Sequence, residues 1–193
     1  GIPATGKRVE IRYMDFWKVQ DGKIVEVGRI RNSATEVIDA EGKVVAPGFI
    51  DGHTHMDAQV AWDPLGSCSC WHGVTSVVMG NCGFSIAPLG DDSDAEYLAA
   101  MLVRVEGMSP AALAEGVDWD WRSFGDFLGR FEGKLGVNVA GMVGHSALRR
   151  MVMKDDAVSR EATATELVEM QRVLAESLEA GGLGFSTSRS FTH

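Results

Sequence analysis

The chain has 193 residues, of which 45% are hydrophobic, 23% are charged and 23 are glycines. These proportions are typical of a globular protein and exclude a disordered, collagenous or fibrous one. Eighteen basic against 27 acidic residues give a net charge of −9, which argues against nucleic-acid and anionic-membrane partners because both need a basic surface. A small molecule or another protein is the better candidate partner.

Targeting signals and disulfide bonds are not expected. No apolar run approaches the roughly 18 residues that a membrane-spanning helix needs. The opening residues 1–4 lack the basic flank and apolar stretch of a signal peptide. Three cysteines cannot all pair within one chain, and this low number suits a reducing compartment. We therefore expect a cytoplasmic protein.

Residues 1–46 are predicted to form a small β subdomain. Polar and apolar residues partly alternate over residues 9–19, and the turn signal Asp21-Gly22 leads into a second apolar run at residues 24–27. This pattern predicts a β-hairpin. Two further short strands are predicted at residues 36–39 and 44–46, because glycine interrupts the chain between them.

From Pro47 onward, short apolar runs alternate with helical stretches. Continuous apolar runs are typical of parallel strands that are covered on both faces. The predicted strands are residues 48–51, 74–79, 137–143 and 182–186.

Helix starts are predicted at three places, from a capping-box pattern at residues 93–96, from Ser109-Pro110 and from a second capping pattern at residues 123–126. The longest helix is predicted over residues 160–179. Its expected buried stripe consists of Leu167, Met170, Leu174 and Leu178.

The predicted fold class is α/β. Four strands with intervening helices are typical of the first half of a (β/α)₈ TIM-type barrel, which takes about 250 residues when complete. We therefore expect residues 47–193 to form about four βα units of a partial barrel, and the chain to be a fragment of a longer protein. Half a barrel would leave inward-facing side chains such as Val77, Met79 and Val139 without partners, which predicts homo-oligomers or low solubility.

A His-x-His pair, His53 and His55, directly follows the first predicted barrel strand. Residues two apart at a strand end lie on one face, and the carboxyl end of a barrel strand faces the active-site mouth. Neutral imidazoles are suitable Zn²⁺ ligands, although a zinc site needs three or four ligands. The alternative is a pair of ordinary loop histidines, but the position at a strand end favours metal.

Cys82 lies in the segment Gly80-Asn81-Cys82-Gly83, which directly follows the second barrel strand. This position brings a thiol to the same edge as the histidines, where a metal thiolate is one interpretation. The other is a small buried cysteine behind a tight turn. The residues alone leave both open.

Three further candidates are weaker. Cys68, Cys70 and His72 form a C-x-C-x-H string, but residues two apart in a short helix do not share a face. His145 follows the third strand and either lines the pocket or is a hydrogen-bonded structural residue. Asp57 either supports the histidines or is a turn residue.

These segments resemble the N-terminal portion of the amidohydrolase superfamily, and specifically the N-acyl-D-amino-acid deacylase (D-aminoacylase) family. The resemblance covers residues 19–193. It rests on Asp21-Gly22-Lys23-Ile24, Val37-Ile38-Asp39-Ala40, the Pro47 to His55 run, Gly73-Val74-Thr75 and Gly80-Asn81-Cys82-Gly83.

The resemblance implies that His53, His55 and Cys82 are metal ligands for one or two Zn²⁺ ions. It also implies a small N-acyl amino acid as substrate and a catalytic Asp beyond residue 193. One alternative within the superfamily is hydrolysis of cyclic amides such as hydantoins and dihydropyrimidines. The non-enzymatic alternative is that the chain is an inactive fragment or an assembly module.

The opening of the chain departs from this family. Residues 1–26 resemble the last hairpin of a SnoaL-like domain more than the start of a deacylase. A chimeric gene and a divergent β subdomain are both open explanations.

Overall fold

The structure, a computed structural model, describes residues 17–20, 23–27, 30–31, 37–38 and 46–189. The chain divides into two compact units, Gly1–Pro47 and Gly48–His193. Among the described residues, no helix has both the length and the apolar character needed to cross a membrane.

Among its described residues, the first unit contains two pairs of antiparallel strands. Strands β1 (Trp17–Gln20) and β2 (Lys23–Val27) form the predicted hairpin around Asp21-Gly22. The second pair joins β3 (Ile30–Arg31) to β4 (Val37–Ile38). The sequence pattern had missed β3 because two residues are too few to show alternation. Residues 44 and 45 of the other predicted strand lie outside the described residues.

The second unit is built on a four-stranded parallel sheet in the order β5-β6-β7-β8. This sheet is a curled half-barrel, and the predicted α/β partial-barrel fold is confirmed. Every strand follows the previous one in both sequence and space, as in a (β/α)₈ barrel. The strands are β5 (Phe49–Asp51), β6 (Val74–Met79), β7 (Asn138–Gly144) and β8 (Gly184–Ser186).

Seven α-helices connect and cover these strands. Two of the predicted helix starts are confirmed, since Pro110 occupies the first turn of α4 and Ser123 forms a capping box with Asp126 at α5. The helices are α1 (Gln59–Trp62), α2 (Ser67–Cys70), α3 (Asp92–Glu106), α4 (Pro110–Gly116), α5 (Phe124–Gly129), α6 (His145–Met153) and α7 (Ala164–Glu179).

Two predicted helix starts are wrong by a few residues. Helix α3 begins earlier because the carboxylate of Asp91, two residues before the predicted box, accepts from the backbone N–H groups of Ser93 and Asp94. Helix α7 begins later than residue 160 because Thr163 forms its capping box with Glu166. At each observed start, a capping side chain satisfies free N–H groups of the first turn.

The predicted buried stripe of α7 is also partly wrong. The helix buries Met170, Val173 and Ser177, whereas Leu167 and Leu178 are 50% and 40% exposed. Ser177 can be buried because its hydroxyl donates to the carbonyl oxygen of Val173 at 2.7 Å. A stripe chosen by apolar residues alone misses a serine that is satisfied in this way.

The prediction of which strand side chains lack packing partners is also wrong. Val77 and Met79 are buried in the main hydrophobic cluster, so they lie on the helix-covered face of the sheet, and Val139 packs against this cluster. The exposed large hydrophobic residues of these four strands are instead Phe49, Ile50 and Phe185. Within the described residues, β5 and β8 each pair on one side only. That copies of the chain associate therefore stays a prediction. We expect the contact at the unpaired edges of β5 and β8.

Candidate metal centre

The carboxyl ends of β5 and β6 bring two histidines and a cysteine together. His53 and His55 follow β5, and Cys82 follows β6. Their ligand atoms all lie within 4.8 Å of one another, and His53 Nε2 is 3.2 Å from Cys82 Sγ. Among the described residues, this is the only group of three or more His, Cys, Asp or Glu side chains close enough to share an ion.

The His-x-His segment is fixed by the threonine between the histidines. Thr54 is buried, and both its backbone N–H (3.0 Å) and its hydroxyl (2.8 Å) donate to the carbonyl oxygen of Val78 on β6. With Thr54 turned inward, the two imidazoles lie side by side, with ring centroids 5.5 Å apart. His53 is exposed and His55 is half-buried, so the centre opens to solvent on one side.

Cys82 lies in a tight turn whose backbone is unusual. Its φ of 56° places a non-glycine residue in the left-handed region, between Gly80 (φ 77°) and Gly83 (φ 85°). Such a conformation costs roughly 1–2 kcal/mol and persists only where the surroundings enforce it.

Ser186 at the end of β8 and Ser188 just after it hold this turn in place. The Ser186 hydroxyl accepts from the N–H of Gly83 at 3.0 Å and donates to the carbonyl oxygen of Gly80. The Ser188 hydroxyl donates to the carbonyl oxygen of Cys82 at 2.8 Å. The thiol therefore owes its position to a strand that is distant in the sequence.

Gly80 is a position in this turn that leaves no room for a side chain. A Cβ there would overlap the carbonyl oxygen of Met142 on β7. We expect Gly80→Ala to lower the free energy of unfolding by about 3 kcal/mol or more, because a left-handed backbone and a clash add together. Urea denaturation measures this loss.

The matched control is Gly107→Ala. Gly107 has a similar φ of 65°, but a Cβ there would meet open space. This substitution isolates the conformational cost, which we expect to be about 1 kcal/mol. Equal losses in the two variants would contradict the role of the Met142 contact.

Asp57 braces the cysteine turn and makes no described hydrogen bond to the histidines. Its buried carboxylate accepts from the N–H of Gly80 at 2.9 Å. Burial raises the pKa of Asp57 to about 7, with the Gly80 hydrogen bond opposing this shift and the charge of Glu106 adding to it. The residue lies in a turn, as one of the two interpretations expected, and it ties the His-x-His segment to the cysteine turn.

Glu106, at the C-terminal end of α3, is a member of the site that sequence reasoning missed. Its Oε1 lies 3.6 Å from Nδ1 of His55, within ion-pair range but too far for a hydrogen bond. That Nδ1 is buried and has no hydrogen-bond partner among the described residues. No local motif marks Glu106, because its place beside His55 depends on how α3 packs over the sheet.

The remaining candidates lie outside the cluster. Cys68 and Cys70 are exposed on the short helix α2, and His72 is exposed just after it. His145 begins α6, where its Nδ1 is 3.0 Å from the hydroxyl of Thr187. It also lines a cavity that contains none of the three clustered residues, so the hydrogen-bonded interpretation of His145 describes it.

The chemistry of the cluster fits a zinc-type ion. Two imidazoles and a thiol are the nitrogen and sulfur donors that Zn²⁺ prefers. The buried Nδ1 of His55 has no hydrogen-bond partner among the described residues, and Glu106 Oε1 lies 3.6 Å from it, which leaves Nε2 for an ion. A nearby carboxylate such as Glu106 is the usual support for a metal-bound imidazole.

Comparison with known proteins finds a matching family model and several relatives of this chain. A model of the amidohydrolase family matches residues 36–193. The D-aminoacylase of Alcaligenes xylosoxydans xylosoxydans is 36% identical over 189 residues, covering 97% of this chain and 35% of that protein.

Two solved structures share the fold. One, from work on the binuclear metal centre of D-aminoacylase, has 38% identity and a TM-score of 0.57, covering 73% of this chain and 27% of that one. The other is N-acyl-D-glutamate deacylase from Bordetella bronchiseptica with zinc and a phosphonate inhibitor, with 34% identity and a TM-score of 0.60, covering 77% and 28%.

The chain spans about a third of the length of the curated relatives it matches. The matched family model covers most of the chain, and the sheet and sequence both align with D-aminoacylases. The chain therefore belongs to the amidohydrolase family and is related to the D-aminoacylases.

Proposed function

We propose that His53, His55 and Cys82 hold one or two Zn²⁺ ions in a hydrolase that deacylates N-acyl-D-amino acids. The observation that carries the proposal is the convergence of the three ligand atoms within 4.8 Å at the carboxyl ends of two barrel strands. The substrate class is supported by the related D-aminoacylase, N-acyl-D-aspartate deacylase and N-acyl-D-glutamate deacylase.

The residues of this chain prepare the centre. Thr54 and Ser188 fix the two loops, and Glu106 stands where it can hold the His55 ring. When bound, Zn²⁺ supplies Lewis acidity, by which an amide carbonyl is polarised and a water molecule becomes acidic near neutral pH. In the overall reaction the amide C–N bond breaks, a C–O bond to the carbonyl carbon forms, and the leaving amine takes up a proton.

We further propose how the chain contributes to a longer enzyme. Residues 47–193 supply the first βα units of the barrel and the first metal ligands, and residues 1–46 form the small β subdomain. The general base is an Asp beyond residue 193, which takes a proton from water and later gives one to the amine. Residues 1–193 alone are then a partial site.

Amine release from N-acetyl-D-methionine with Zn²⁺ present tests this proposal. The 193-residue chain is expected to show no appreciable turnover, because a general acid/base contributes about 10²–10⁴-fold and further ligands are missing. A longer protein that contains this chain is expected to turn over. In it, Cys82→Ala should lower kcat about 100-fold or more, since a ligand is lost.

Cys68→Ser is the matched control, because Cys68 is exposed and outside the cluster. Turnover by the 193-residue chain that disappears in its Cys82→Ala variant would overturn the partial-site proposal. Parallel assays on hydantoins and dihydropyrimidines test the substrate class, and hydrolysis of those alone by the longer protein would contradict deacylation.

A further inference from the structure

A second feature of the carboxyl edge is a basic cavity between the segments that follow β7 and β8. Its volume is about 840 Å³. The side chains that line it include three arginines and one carboxylate. They are Arg149, Arg160, Arg189 and Glu161, together with His145 and Thr187.

Two of the three arginines have no carboxylate partner among the described residues. Arg149 is half-buried and uses its Nε and Nη2 groups on backbone carbonyl oxygens, with 2.9 Å to Ala157 and 2.9 Å to Arg160. Arg189 is exposed and makes no described hydrogen bond or ion pair. Arg160 differs from both, because its charge is already matched by Asp156 and Glu166.

This concentration of positive charge is unusual for the chain. With 18 basic against 27 acidic residues, most surfaces should be acidic. A comparable cavity of about 720 Å³ over α3 and α4 is lined by Asp92, Glu96 and Asp118 and by no basic residue. The guanidinium of Arg189 and the Nη1 group of Arg149 are therefore available for an anion from outside the chain.

The basic cavity is joined to the candidate metal centre by the segment after β8. Thr187 and Ser188 both line the cavity. Thr187 is hydrogen-bonded to His145, and the Ser188 hydroxyl donates to the carbonyl oxygen of Cys82. A ligand anchored in the cavity would thus lie on the same edge of the sheet as the cysteine turn.

We propose that this cavity binds a carboxylate group, with Arg149 and Arg189 as its cationic contacts. Carboxylate is the chemistry that a planar guanidinium recognises through paired N–H donors. We assign this carboxylate to the substrate, an assignment that rests on the proposed function. Every N-acyl amino acid carries a free carboxylate. A small free carboxylate such as acetate is the other source.

Binding to the metal-free 193-residue chain tests the proposal separately from zinc. The probes are N-acetyl-D-methionine, its neutral primary amide and acetate. Their binding is measured from the chemical shifts of the protein's backbone amides in NMR spectra recorded with a chelator present. N-acetyl-D-methionine is expected to bind about fivefold or more tightly than its amide, with shifts at residues 187–189, and to weaken at high salt.

Arg189→Gln is expected to remove most of that difference, and Arg189→Lys to retain part of it. Arg104→Gln is the matched control, since Arg104 is exposed on α3 and does not line the cavity. Arg189 is exposed, so these variants should fold normally, and thermal unfolding confirms that they do.

Equal binding of the acid and the amide, or an equal effect of Arg189→Gln and Arg104→Gln, would overturn the proposal. Acetate that binds as tightly as N-acetyl-D-methionine would support carboxylate binding but identify a free carboxylate as the ligand. If the unaltered chain bound N-acetyl-D-methionine through its carboxylate but did not bind zinc, the proposed function would be contradicted and the cavity assignment would stand.

Discussion

Zinc is expected to bind the 193-residue chain weakly, and a His53→Ala/Cys82→Ala double variant is expected to lose affinity about 100-fold or more. Loss of a supporting residue alone typically costs 10–100-fold, and here two ligands are removed. Binding should be weak even in the unaltered chain, because the cluster found among the described residues offers three ligands and leaves a coordination position to water. Metal content after extensive dialysis should therefore be substoichiometric.

The controls use residues of the same type outside the cluster. Cys68→Ser and His72→Ala change an exposed thiol and an exposed imidazole, and neither should alter zinc affinity. In the same titration, Glu106→Gln should weaken binding about tenfold, since it removes the charge beside His55 Nδ1. Glu96→Gln, an exposed change on the same helix, should have no effect.

Competition with a chromophoric zinc chelator measures these affinities. Stoichiometric zinc that survives the double substitution would mean that the metal site lies elsewhere in the chain. If Glu106→Gln matched Glu96→Gln, the contact with His55 would have no bearing on metal affinity.

Asp94→Ala is expected to lower the free energy of unfolding by about 3–5 kcal/mol, the usual cost of removing one partner from a buried ion pair. The Asp94 side chain is 1% exposed, lies 2.9 Å from Nε of Arg150 and 2.7 Å from Nζ of Lys154, and accepts from the N–H of Gly90. Its removal leaves Arg150, itself 8% exposed, with a single carboxylate partner, Asp155.

Asp92→Ala is the matched control, two residues away on the same helix. Asp92 pairs with Arg122 but is 88% exposed. An exposed pair contributes about 0–1 kcal/mol, so the control should be nearly neutral. Urea denaturation measures the free energy of unfolding of both variants. If the two variants lost similar amounts of it, the buried network would not stabilise the fold.

The architecture of the second unit was predictable because each strand has its own apolar run. The continuous run of β6 matches the structure residue for residue, and the β7 run differs by one residue at each end. Parallel strands then place the segments after β5 and β6 at one edge, so the proximity of His53, His55 and Cys82 followed from connectivity.

The features that were missed depend on tertiary packing. Glu106 reaches His55 from a helix, and Ser186 and Ser188 reach the cysteine turn from β8 and the segment after it. Ser177 is buried in place of a leucine because its hydroxyl has a partner on its own helix. None of these contacts leaves a periodic signal in the sequence, since each joins a single polar side chain to one backbone or ring atom.

The dependence of the cysteine turn on β8 has a consequence for biosynthesis. The hydrogen bonds from Ser186 to Gly80 and from Ser188 to Cys82 each span 106 positions of the chain. At about 5–20 residues per second, ribosomes need roughly 5–20 s to make that length. During this interval the nascent Cys82 lacks the two serines that fix its backbone. The turn that holds this proposed metal ligand is therefore completed only after β8 and the residues just after it have been made.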